Sequence, residues 1–133
     1  MTAGVLLAVA LAGHFIGDWI VQTDAQAAAK ASSWAANQRH MVGYHLAVWA
    51  VFLLVCIARG LEGPAWLAAR DDVLVLIAVS WATHSVIDRR WPVRWLMERT
   101  GSRPFSETPW GPLVVDQALH LAILCLAVAV VAN

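Results

Sequence analysis

The sequence predicts an all-α integral membrane protein: a four-helix bundle of four transmembrane helices with short interfacial helices between them. Three observations carry that expectation. Hydrophobic residues make up 60% of the 133 residues and charged residues 14%, well below the roughly 25% charged in soluble domains. Four apolar stretches reach or approach the ~20 residues that a bilayer demands. Turn residues break none of them, which favours helix over buried strand. The length suits a single four-span domain over residues 1–133. The formal net charge is zero, and no nucleic-acid partner is expected.

The first span runs from Ala3 to Val21. It carries no basic leader and holds the key His14 and Asp18, so a cleaved signal peptide is not expected. In the connection to His40, Thr23 followed by Gln26 has the spacing of a capping box and predicts a short surface helix. The second span covers Met41 to Ala58. The stretch from Arg59 to Asp71, with Gly60, Gly63 and Pro64, reads as a turn. The third span, Asp72 to Asp88, is the shortest at 17 residues. After it, Trp91 to Arg99 alternates aromatic and basic groups behind Pro92, as a helix in the headgroup plane would. Residues 100–112 look irregular and able to fold over a site. The fourth span runs from Leu113 to Ala132. Trp34, Trp66, Trp91, Trp95 and Trp110 fall in loops or at span ends, where an interfacial belt accounts for them. Cys56 and Cys125 lie inside apolar runs and read as small buried hydrophobes.

Against this background the ionisable residues stand out, because a charge inside a bilayer is expensive and marks a functional site. His14, Asp18 and Gln22 are four residues apart and share one helical face. Later spans contribute His45, His84 with Asp88, and Asp116 with His120. Four spans reverse the chain three times. The end of the first, the start of the second, the end of the third and the start of the fourth then share one membrane face. All seven groups come within roughly 12 Å of that face, whereas chance would scatter them. The site-side connections carry Lys30, Arg39, Arg89, Arg90, Arg94, Arg99 and Arg103, the opposite one only Arg59 and Arg70. The positive-inside rule therefore puts the site at the cytoplasm and both termini outside.

Four histidines and three aspartates at one depth suit one or two divalent transition metals, zinc first, with manganese or iron as alternatives. The expected ligands are His14, Asp18, His45, His84, Asp88, Asp116 and His120. Each His-x-x-x-Asp pair can ligate with both members, or the Asp can hold the ring from behind. Asp18, Asp88 and Asp116 are the candidate catalytic groups. Gln22, Gln117, Arg89 and Arg90 are candidates for orienting substrate, although the arginines could equally snorkel. His40, at the interface, reads as a helix-to-helix hydrogen bond or a solvated group. A single such pair would be simple helix glue worth about 1 kcal/mol. Glue has no reason to gather on one side.

The string His14-Phe-Ile-Gly-Asp18-Trp-Ile-Val-Gln22-Thr-Asp24, with Lys30, His45, His84-Ser-Val-Ile-Asp88 and Asp116-Gln-Ala-Leu-His120, resembles the small bacterial and phage membrane proteins catalogued as domain of unknown function 3307. The resemblance covers nearly the whole chain. It implies the fold and a multi-pass place in the bacterial inner (cytoplasmic) membrane, but no chemistry. The His-x-x-x-Asp style is also similar, by analogy only, to that of membrane-bound metal-dependent hydrolases. The expected function is accordingly a metal-dependent hydrolase acting on a lipid or other interfacial substrate, with membrane lipids as partners. A transporter or proton or metal relay working as a homodimer is the alternative, and a structural or regulatory subunit a third. The apolar far halves of the spans favour a site over a path.

Overall fold

The computed structural model describes residues 1–132, and no strand occurs among them. The helices are α1 (Ala3–Ile16), which runs on as a π-helical turn (Gly17–Val21), α2 (Asp24–Ala29), α3 (Trp34–Ala58), α4 (Gly63–Ile87), α5 (Trp91–Arg99), α6 (Arg103–Ser106) and α7 (Gly111–Val131). The four long helices neighbour one another in the ring order α1, α3, α4, α7 and back to α1. Three of them are long and apolar enough to cross a membrane: Ala3–Val21, Trp34–Ala58 and Gly111–Val131, with mean hydropathies of 1.8, 2.2 and 2.2. In α4, Arg70, Asp71 and Asp72 interrupt the apolar run. Aliphatic side chains such as Ile20, Leu54, Ile57, Leu126 and Val130 point outward and are exposed, the arrangement that a lipid solvent favours.

Local sequence explains where the helices begin. Thr23 and Gln26 form the anticipated capping box, with Gln26 N–H donating to Thr23 Oγ1 at 3.2 Å and Thr23 N–H to Gln26 Oε1 at 2.9 Å. The helix α3 starts at Trp34 rather than Met41, because the Ser33 side chain caps it. Asn37 and His40 then turn their polar groups into the bundle, where both are buried. Likewise α4 starts at Gly63 rather than Asp72, with Pro64 in its first turn. Hydropathy marked the apolar part of these helices and missed their first turns, which in α3 face protein and in α4 are mostly exposed. Gly60 and Gly63 take left-handed φ of 58° and 54° in the intervening turn.

The bundle divides along its length. The end remote from the His/Asp groups is packed by Leu6, Val9, Phe52, Val73, Leu76 and Leu124. In a lipid solvent, whose tails are as apolar as leucine, such packing would hold helices together by close contact rather than by exclusion of water. Gly13 and Gly17, four residues apart on α1, supply the closest approach. A Cβ at Gly13 would lie 2.7 Å from Val48 Cα, and one at Gly17 2.7 Å from Tyr44 Cδ2. A smaller cluster of Ile87, Val93 and Met97 seats α5 against Val115 and Leu119 of α7.

This packing yields a paired test. Gly13→Ala should cost about 1–3 kcal/mol through overpacking against α3. Gly4→Ala, with nothing within 4 Å, should be neutral or gain about 0.5–1 kcal/mol in helix propensity. Thermal unfolding in detergent micelles separates the two, and equal midpoints would refute the close α1–α3 contact.

Candidate functional site

The site begins where α1 changes pitch. Over Gly17–Val21 the helix widens into a π-turn, closed by Gln22 N–H donating to Gly17 O at 3.2 Å. Such turns insert one residue and re-aim the side chains around them. The residue it carries inward is Asp18, 6% exposed. Gln22 then leaves the helix and folds back, donating from Nε2 to the Asp18 carbonyl at 3.2 Å. On the opposite helix, Asp88 caps the end of α4 one turn after His84. Asn37 Nδ2 donates to the Ser85 carbonyl at 3.2 Å and holds the start of α3 beside that end. His40 is thereby brought to both carboxylates.

At the centre, Lys30 bridges the two aspartates, with Nζ 2.9 Å from Asp88 Oδ1 and 3.3 Å from Asp18 Oδ1. His40 Nε2 lies 3.1 Å from Asp18 Oδ1 and 3.4 Å from Asp88 Oδ2. His84 Nε2 lies 3.6 Å and 3.4 Å from the same two atoms. These separations bracket the ~3.3–3.4 Å edge of a tetrahedron drawn with the 2.0–2.1 Å bonds of a zinc site. Donor atoms of Asp18, His40 and His84 lie within 4.8 Å of one another, as do those of His84, Asp88 and His120. Each set could hold a metal ion, and both contain His84.

The orientation of the donors supports the fit. His40 Nε2, His84 Nε2, His120 Nε2 and both Asp88 oxygens are buried without a well-aligned hydrogen bond, although Lys30 contacts Asp88 electrostatically. Buried polar atoms left in this state are rare and call for an explanation. His120 Nδ1 donates to the Asp116 carbonyl at 2.8 Å, which leaves its Nε2 lone pair free. His14 differs. Gln117 donates from Nε2 to Asp18 Oδ2 at 2.8 Å, so its Oε1 must be the atom 3.1 Å from His14 Nε2. His14 therefore donates from Nε2 and accepts the Tyr44 hydroxyl at Nδ1, 3.1 Å away. Both ring nitrogens are occupied, and His14 works as a strut that orients Gln117.

Of the residues singled out from sequence, Asp18, His84, Asp88 and His120 meet in the centre. Asp116 and Gln117 border it. His45 does not join them: its Nδ1 donates to the Met41 carbonyl at 2.8 Å and its ring stacks on Trp81. Arg89 turns away too, lying over the Trp34 ring at 4.5 Å and donating to the carbonyls of Lys30 and Ser32. It clamps the connection that delivers Lys30. Sequence reading gave no site role to His40, Lys30 or Tyr44. The available signal was the spacing of Asn37, His40 and Tyr44, which places all three on one face once the helix is extended back to its Ser33 cap. A cavity of about 550 Å³ is lined by Asp18, Asp24, Asp88 and Asp116 together with Lys30, Arg90 and Arg94.

The chain belongs to the family described as "Protein of unknown function (DUF3307)", which matches residues 6–133. No curated protein and no solved structure matches it.

The Lys30 bridge sets an expectation for stability. Lys30→Met keeps an apolar stem of similar length but leaves two buried carboxylates without their cation, a loss of about 3–5 kcal/mol. Its thermal midpoint should fall in chelator, and added zinc or manganese should restore more stability than in wild type. Identical midpoints in chelator would show that the bridge carries no weight.

Proposed function

We propose that this DUF3307 protein is a four-span membrane protein that holds one divalent transition metal, zinc in the first instance, and hydrolyses an ester, amide or phosphoester at the membrane surface. The observation that carries the reading is the convergence of buried imidazole nitrogens and carboxylate oxygens that lack a well-aligned hydrogen bond and are spaced as ligands. Asp18, His40 and His84, or else His84, Asp88 and His120, would hold the ion, and imidazole with carboxylate suits zinc, manganese or iron. When bound, such an ion polarises the scissile bond and acidifies water. Asp116, which lines the cavity and has one buried carboxylate oxygen unpartnered, is placed to take and return a proton. Gln117 links Asp18, His14 and Trp19 and keeps the carboxylate oriented. A transport path would have to cross the apolar packing of Leu6, Phe52, Leu76 and Leu124, which supports a site open to one side.

In this reading α4 is the fourth span, and its charged first half lies at the surface opposite the site. The site-side connections carry seven basic residues against two in the opposite one, which supports a cytoplasmic site in an inner membrane.

Metal content tests the centre. His84→Ala removes the member common to both ligand sets and should empty the purified protein of metal. His40→Ala or His120→Ala each leaves one set intact and should retain part of it. Full metal in His84→Ala would end the proposal. Topology is tested in intact cells with a cysteine-free background. A cysteine at Glu62 should react with an impermeant thiol reagent and one at Ser102 should not; the opposite pattern would invert the orientation.

A further inference from the structure

The cavity wall carries a feature that the metal reading does not use. Arg90 has φ 62°, the left-handed region that costs a long side chain energy and that glycine occupies freely. It is the only non-glycine residue in that region among the described residues. A retained side chain at a strained position points to a task for the side chain. Arg94 follows one turn later on α5; both residues line the cavity, and neither makes an ion pair with any described residue. Of the cations that line the cavity, Lys30 is taken up by Asp18 and Asp88, which leaves Arg90 and Arg94 for an anion. Two guanidinium forks offer paired donors to the three terminal oxygens of a phosphomonoester.

We infer that Arg90 and Arg94 form a phosphate-binding subsite, and that the substrate presents a phosphomonoester group to the cavity. Guanidinium forks match phosphate oxygens in pairs. The group can come from a lipid headgroup or from a soluble phosphate. The cavity lining also includes Trp19 and Leu113, both exposed, at 60% and 41%, apolar surface on which an acyl chain can lie. This deepens the function proposed above and rests on it only in taking the cavity as the face that meets substrate.

The test uses the full chain in dodecyl maltoside, which carries no phosphate. Binding is measured by calorimetry and metal content is assayed on the same samples. The probes are dihexanoyl phosphatidic acid, its phosphodiester counterpart dihexanoyl phosphatidylglycerol, and inorganic phosphate. Wild type should bind phosphatidic acid at least tenfold more tightly than the diester. Arg90→Gly should lower that affinity at least tenfold while its thermal midpoint stays level or rises, since glycine relieves the backbone. Arg94→Ala should weaken binding in the same direction, and Arg103→Ala, off the cavity, should not. Inorganic phosphate binding as tightly as phosphatidic acid, with the same arginine dependence, would support the subsite and assign the group to a soluble source. Two results would overturn the inference: no phosphatidic acid binding by wild type, or an Arg90→Gly/Arg94→Ala double variant that binds within twofold of wild type. Arginine-dependent binding by protein that holds no metal would defeat the hydrolase reading and leave the subsite standing.

Discussion

Two carboxylates cannot stay ionised near each other inside a helix bundle unless cations stand between them. That constraint organises this molecule. Removing an ion from water costs several kcal/mol even after relaxation, and Asp18 and Asp88 are both almost fully buried. The Lys30 ammonium, 3.3 Å and 2.9 Å from them, answers the cost. Much of the nearby architecture delivers those three groups. The π-turn swings Asp18 inward, the end of α4 presents Asp88, and the capped α2 leads the chain to Lys30. Arg89 then ties down the Lys30 carbonyl. His40 and His84 share Asp18 Oδ1 with the Lys30 ammonium and meet Asp88 at the other oxygen, Oδ2.

The two ends of the bundle obey different physics. At the apolar end, gains come from contact, and Gly13 lets α1 ride on the backbone of Val48. At the polar end, gains come from matched charge and directed hydrogen bonds, as in the Tyr44–His14–Gln117–Asp18 chain. Gly17, against Tyr44, sits at the change from one regime to the other. The same glycine pair thus serves the packing and sets how deep Asp18 can reach.

Much of this was legible in the sequence. The long helices follow from apolar runs, α2 from Thr23 and Gln26, α5 from Pro92 and its aromatic-basic pattern, and the one-sided gathering of His84, Asp88, Asp18 and His120 from their places in those runs. What failed to show has physical causes. His40 lies outside the apolar run of α3, so hydropathy ended the helix before it. Lys30 sits in an alanine-rich connection where a lysine reads as a surface charge, and only tertiary folding turns it inward. His45 has the right depth but the wrong azimuth: on α3 it faces Trp81, five positions from His40. The π-turn has no signature in residue type, because it depends on what α1 packs against.

His84 belongs to both potential ligand sets, and a neutral imidazole presents one lone pair at Nε2. One such nitrogen cannot serve two ions together. The two sets are therefore alternative seats for a single guest rather than halves of a binuclear cluster of the kind that clamps a substrate between ions ~3.5–4 Å apart. Chemistry conducted here with one ion would need its second positive pole from the polypeptide. The ammonium of Lys30, in contact with Asp18 of one set and Asp88 of the other, is the positive charge nearest at hand.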